Sequence, residues 1–212
     1  MFKEVAVISK SQVKGRGRRG TSWISKKGNL YLSIKLKNRI RKDHQFITYM
    51  VSITVFDTIK KYLKSGAKLL IKWPNDIYIN NKKVSGIIIE FVSTGNIISD
   101  IIIGVGININ HCPINLAKPA THLSKFVNSE IKILELAFSI LVGINYWSKV
   151  LSNNKKLIIK EWMKRANKLN SNIKFNLKNK LVNGNYKGIN NNGSIQVLVN
   201  NKLTNFFNLE LI

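Results

Sequence analysis

Residues 68–109 constrain the chain most. Four apolar runs, at 68–73, 76–80, 83–92 and 97–109, follow one another with only a few residues between them. Two of the joints carry Asn80-Asn81 and Thr94-Gly95-Asn96. Both are turn sequences that tolerate the positive φ of a tight hairpin. Runs joined this closely pair as hairpins, so the middle of the chain is expected to be a β-sheet. Ile87-Ile88-Ile89 suits a strand covered on both faces. Upstream, residues 29–37 alternate, with Leu30, Leu32, Ile34 and Leu36 on one face, the pattern of a half-buried strand. Residues 4–9 read as a further short strand.

Helices flank this block. Asp43 is placed to cap a helix reaching about Lys64, since Phe46, Tyr49, Met50, Ile53, Phe56, Ile59 and Leu63 recur at helical spacing. Gly66 is placed to end it. Ser129-Glu130 opens a long apolar helix to about Leu151, and another spans about 155–168 with Trp162. From Leu169 the texture changes to short alternating strands at 172–178, 181–189, 193–199 and 202–208, separated by Asn/Gly turns. Such spacing suggests a small β-barrel or sandwich. The expected boundary therefore divides 1–168 from 169–212. No linker rich in Pro or Ser separates the parts, so they are expected to pack together.

The net charge is +25, from 35 basic and 10 acidic residues. Such a balance suggests a polyanionic partner. A plainer explanation competes: 31 Ile, 27 Asn and 29 Lys all have AT-rich codons, so base composition alone raises the lysine count. The pattern is more telling than the total. Residues 10–42 hold twelve basic side chains and no acidic one, including Arg16, Arg18, Arg19, Arg39 and Arg41 out of six arginines in all. The guanidinium fork binds carboxylate or phosphate through two hydrogen bonds, which lysine cannot do.

Four segments carry residues suited to chemistry. Gln12-Val-Lys-Gly-Arg-Gly-Arg-Arg-Gly20 alternates glycine with arginine, so backbone N–H groups and guanidinium groups can surround an anion. Its spacing is not that of a Walker loop. Alone, an Arg/Gly loop more often belongs to a disordered nucleic-acid-binding tail than to a catalytic clamp. Trp23 follows it, fit either to staple the loop to the core or to stack on a base. The second segment is Lys72-Trp73-Pro74-Asn75-Asp76, where an Asn/Asp turn is the bland reading. The third is Lys83-Val84-Ser85-Gly86, which opens the most apolar strand. The fourth is Gly104-Val-Gly-Ile-Asn108, where two glycines end a strand before a polar side chain. His44, His111 and His122 lack metal-ligand spacing. A lone Cys112 excludes a disulfide framework and a cysteine-rich zinc site. No run of about 18 uncharged apolar residues is present, so a membrane span is not expected. No signal peptide is recognised at the start, which makes the cytoplasm the expected compartment.

Taken in order, GRGRRG with its upstream Gln, GNLYLS, KWPND, KKVSGIIIE and IIGVGININ resemble the biotin–protein ligases, also called biotin–[acetyl-CoA-carboxylase] ligases. ATHL at 120–123 and the β-rich tail extend the likeness over nearly the whole chain. Lipoate ligases share the core fold but lack the GRGRRG pattern. The resemblance implies an α+β protein: a mixed central β-sheet flanked by helices, the class II synthetase-like core, with a small SH3-like C-terminal barrel. It implies ATP-dependent formation of biotinyl-5′-AMP and transfer to a lysine of the biotin carboxyl carrier protein of acetyl-CoA carboxylase, with Mg2+ as cofactor.

By that resemblance Gln12, Gly15, Arg16, Gly17 and Arg18 would wrap biotin and the phosphate, and Trp23 would pack on adenine. Lys83 would neutralise the reacting anions over Gly86 and Gly104. Asn75 and Asn108 would read the nucleotide. Asp76 would hold Mg2+ or assist deprotonation of the acceptor lysine. Members of that family often dimerise through the sheet edge, so a homodimer is among the implied assemblies. The departures are three. The family's first strand and helix, with a Ser-Thr-Asn motif, are not found, so an N-terminally short form is expected. Thr21 stands where another Arg is common. No winged helix precedes residue 1, so DNA binding is not expected. The competing readings are a basic nucleic-acid-binding module and an inactive ligase relative.

Overall fold

The period-two runs build the centre of the molecule. A computed structural model describes residues 4–38, 43–114, 119–177, 180–207 and 209–211. Arg39 and Arg41 lie outside the described residues. Six strands, β1 (Val5–Ser9), β2 (Leu30–Lys37), β3 (Leu69–Lys72), β4 (Asp76–Ile79), β5 (Lys82–Thr94) and β6 (Ile97–Ile107), form one sheet in the order β1-β2-β6-β5-β4-β3. All pairings between these strands are antiparallel. Parallel pairing enters through isolated bridges, Ile71 to Ala166 and Lys83 to Ala120. The two turns form as expected: Asn80 and Asn81 take φ of 48° and 62°, and Gly95 takes 60°.

Alternation gives the sheet two different faces. On β6, Ile101, Ile103, Val105 and Ile107 are buried in the core. Ile102, Gly104 and Gly106, with Asn108 just beyond, face an open cleft on the other side. The Ile87-Ile88-Ile89 triplet divides the same way, with Ile87 in the core and Ile88 on the cleft wall.

Three helices supply the core side: α1 (Gln45–Lys60), α2 (Ile133–Asn153) and α3 (Lys155–Arg165). Twelve residues of α1 are buried, because it lies between the sheet and the other two helices. Its ends differ from expectation. Asp43 does not cap it: the residue sits at φ 68° and its carboxylate accepts from Lys155 Nζ at 3.0 Å. Nor does Gly66 end it: α1 stops at Lys60, and Leu63 is drawn into a bridge with Val127. Tertiary partners override the local stop signals. Helix α2 starts at Ile133, four residues after Ser129. The Arg165 guanidinium forks onto both oxygens of Asp57 (2.8 and 3.0 Å) and ties α3 to α1. By length and composition α2, with a hydropathy of 1.3, could cross a membrane; here Leu136, Ala137, Ile140, Ile144 and Leu151 bury one side of it.

The tail forms a second antiparallel sheet, consistent with a small β domain. Its strands are β7 (Asn172–Leu177), β8 (Lys180–Ile189), β9 (Ile195–Val199), β10 (Lys202–Phe206) and β11 (Glu210–Leu211), ordered β10-β9-β8-β7-β11. The two-residue β11 was not expected. The strand foreseen from 193 begins at Ile195, since Gly193 takes φ 81° in the turn before it. One hydrophobic cluster runs through both sheets. A polar link joins them as well: buried Tyr49 donates to Gly193 O (2.5 Å) and accepts from Trp73 Nε1 (2.9 Å).

Tyr49→Phe would leave that indole N–H and that carbonyl unpaired in the interior. The expected cost is about 1–3 kcal/mol, or a melting temperature lower by about 2–4 °C per kcal/mol. Burial also pushes the Tyr49 phenol up to about 12. An unfolded tyrosine loses its proton near pH 10, so Tyr49 stabilises the fold fully below that pH and less as pH rises toward 12. Thermal melts of the variant across pH 9–12 should show this part of the alkaline destabilisation removed. An unchanged melting temperature at neutral pH would count against the link.

Candidate active site

Each candidate segment ends on the cleft face of the sheet. The Arg/Gly segment is folded, not an open loop. Trp23 N donates to Gly15 O (2.9 Å), and Gly17 N donates to Thr21 O (2.7 Å). Gln12 is tied to Ser25, Nε2 to Oγ, at 2.9 Å. A Cβ at Gly15 would run into the Trp23 carbonyl oxygen, so glycine is what permits this fold-back. The segment thereby arches over the sheet and lowers Trp23 onto it.

The floor beneath is flat because two glycines are opposed. Gly86 on β5 pairs with Gly106 on β6. A Cβ at Gly106 would stand 2.6 Å from Trp23 Cε2, and one at Gly86 2.8 Å from Trp23 Cζ3. The Trp23 indole nitrogen is buried against this floor with no hydrogen-bond partner among the described residues.

Lys83 reaches this face through a β-bulge. Ile77 pairs with Ser85, but the next residue, Tyr78, pairs with Lys83, so Val84 is the extra residue. A bulge turns the residues on either side of it to opposite faces. Without it, Lys83 would share the core face with Ser85 and Ile87. With it, the Lys83 side chain lies along Gly86, its Nζ 2.8 Å from Asp76 Oδ2 and 5.3 Å from the centre of the Trp23 ring. Both ionic groups are largely shielded from solvent.

Arg18 enters from the opposite wall. Its Nη1 donates to Asn75 Oδ1 at 2.9 Å. Burial, and then the charge of Arg19, lowers its pKa from the ordinary value, which lies so high that the group stays cationic. Asn75 is 7% exposed and holds this guanidinium while its own Nδ2 donates to Ile87 O (2.6 Å). Asn108 is likewise engaged, its Nδ2 donating to Thr121 O at 3.1 Å. Arg16 turns outward to Glu90 at 2.9 Å and is 72% exposed, a pair of small energetic weight.

Among the expected site residues, all but Gly15 line one cleft of about 670 Å3. Gly15 shapes the arch from behind. Gly104 lines it too, yet the space it leaves is taken by Ile88, 2.6 Å from where its Cβ would be. Gly106, the glycine that makes the floor, was read as one of two strand-ending glycines but given no site role. Its signal was there: Gly104 and Gly106 are two apart and so share a face. Leu211 of β11 and Leu209 just before it also line the cleft, and no local pattern announces them. No three His, Cys, Asp or Glu side chains converge among the described residues. A magnesium ion would thus find Asp76 as its protein carboxylate and take its other ligands from phosphate and water.

Comparison with known proteins bears on the family and the fold. A profile of the Biotin/lipoate A/B protein ligase family matches residues 3–108. The chain is 30% identical over 108 residues to the biotin–[acetyl-CoA-carboxylase] ligase of Paracoccus denitrificans, covering 50% of this chain and 45% of that protein. It is 36% identical over 132 residues to the bifunctional ligase/repressor BirA of Bacillus subtilis, covering 59% of this chain and 40% of that one. The matched stretch thus spans less than half the length of these relatives. In three dimensions the chain is similar to the biotin protein ligase from Aquifex aeolicus solved with biotin and ATP. The TM-score is 0.84 and identity 24%, over 98% of this chain and 88% of that one.

Proposed function

Because this chain belongs to the Biotin/lipoate A/B protein ligase family, we propose that it activates biotin with ATP and transfers it to a lysine of a biotin carboxyl carrier protein, that of acetyl-CoA carboxylase, in the cytoplasm. The observation that carries this reading is the convergence of two cations, Arg18 and Lys83, on the adjacent Asn75 and Asp76 above a glycine floor. Joining a carboxylate to a triphosphate brings two anions together, and their repulsion is the main obstacle. Fixed positive charge at the meeting point lowers it.

In the first step the biotin carboxylate attacks the α-phosphorus of ATP. A new O–P bond forms, the bond to the β-phosphate breaks, and pyrophosphate leaves. Lys83 supplies charge to the attacking carboxylate and to the phosphate oxygens. Arg18, steadied by Asn75, grips the phosphate from the other wall. Gln12 faces biotin, the Trp23 ring packs on adenine, and the arch from Gly15 to Gly20 shields the mixed anhydride from water. Mg2+ arriving with the triphosphate would neutralise phosphate charge beside Asp76. In the second step an acceptor amine attacks the acyl carbon. The C–N bond forms, AMP leaves, and the nitrogen gives one proton to the Asp76 carboxylate.

The deciding experiment is ATP–pyrophosphate exchange with the purified chain, with biotin or lipoate as the acid. Exchange with biotin alone is expected. Exchange driven by lipoate, or none with either, overturns the reading. Arg18→Lys should keep the exchange but release the adenylate about tenfold faster, since one ammonium cannot bond Asn75 and grip phosphate bidentately. Equal retention measured by filtration of labelled adenylate would refute the two-pronged grip.

A further inference from the structure

A second, smaller hollow of about 240 Å3 opens beside the cleft and shares walls with it at Arg18, Trp73, Pro74 and Asn75. Its origin is topological. Strand β5 runs on to Thr94, but its pairing with β4 ends at Gly86 opposite Asp76. One further bond, Ile87 N to Asn75 O at 3.1 Å, closes the corner. Beyond it this edge of the sheet is a notch, walled by Ile89 and Phe91, by Thr48 and Tyr49 of α1, and by Gly193, in the turn before β9, and Phe207, just after β10. The Arg18–Asn75 hydrogen bond separates notch from cleft.

The lining decides what the notch can take. Arg18 is its sole residue with a permanent charge among the described residues, and aromatic and aliphatic walls dominate. A polyphosphate would need more cations. A long aliphatic stem with a polar end fits such walls. Two exposed aromatic side chains, Phe91 and Phe207 (42% and 62% exposed), stand at the notch where a folded partner would seat. His44 adds a buried Nε2 with no partner among the described residues.

We propose that this notch is the passage for the acceptor's lysine side chain, its stem between Tyr49, Pro74 and Ile89 and its amine arriving at the Arg18–Asn75 gate. The proposal rests on the ligase reading above. A cation at the gate disfavours an ammonium and favours the neutral amine, the form that attacks. Nucleophile and small substrates then approach from different sides. The acceptor domain touches both sheets at once, which accounts for the C-terminal sheet standing at this edge.

The test separates the two half-reactions. Thr48→Trp fills the notch from within, and Gln45→Trp narrows its exposed rim should the first variant fail to fold. Biotin-dependent pyrophosphate exchange, and discharge of preformed adenylate by hydroxylamine, should stay within about twofold of the unmodified chain. Discharge to an apo carrier domain should fall at least about tenfold in kcat/KM, the scale set by displacing a reacting group by an ångström or more. Carrier discharge at the original rate in a folded variant overturns the proposal. So does equal loss of exchange and carrier discharge, which would assign the notch to adenylation. Absence of biotin-dependent exchange in the unmodified chain is a different failure, that of the ligase reading itself.

Discussion

Lys83→Ala is expected to lower biotin-dependent pyrophosphate exchange by roughly a thousandfold, the upper range for removing one preorganised charge-stabilising group. Two losses combine. The ammonium no longer offsets the approaching anions, and the Asp76 carboxylate, 2.8 Å away, is left as an added negative charge beside them. The fold should hardly notice. Both side chains retain some solvent contact, and such pairs contribute on the order of 1 kcal/mol or less. Exchange kinetics alongside a melting curve check both halves. A rate within a few fold of the parent would remove Lys83 from the chemistry.

Gly106→Val is expected to weaken ATP binding by about a hundredfold, on the scale of shifting a positioning group by an ångström. A Cβ there falls 2.6 Å from the Trp23 ring, and the methyl groups of valine take still more of its seat. The indole must lift, and the arch that carries it lifts too. Valine is a good strand former, so the sheet itself should persist. Isothermal titration with a non-hydrolysable ATP analogue measures the effect. Undiminished affinity would mean that Trp23 does not define the pocket. Gly104→Ala makes a useful contrast, because its new methyl group meets Ile88 and not Trp23.

These two positions show how far the residues could be read in one dimension. The strands of the main sheet were legible because apolar side chains recur every second residue and two turns carry Asn or Gly at left-handed positions. For Lys83 only its place at the strand start, ahead of Gly86, pointed to a pocket mouth; strict alternation would send it into the core with Ser85 and Ile87. The extra Val84 that reverses it is visible only when β4 is laid beside β5. The same holds for the glycine floor, which exists because residues 86 and 106 fall opposite each other. The Arg/Gly segment read as an irregular loop, since the bonds that fold it, Gly15 to Trp23 and Gly17 to Thr21, are backbone bonds with no side-chain signature. At Asp43 a reasonable cap was outbid by a lysine 112 residues away. The set of site residues was drawn from four motifs in order and from their family likeness. Their nearness in space follows from β4, β5 and β6 being sheet neighbours.

The hydroxyl of Tyr49 joins a turn near residue 193 to the indole two positions before Asn75. The last quarter of the chain is therefore not a detachable ornament. A lineage that reshapes that turn must also retune position 49 or 73, and the distant ends of the polypeptide are bound to drift together or not at all.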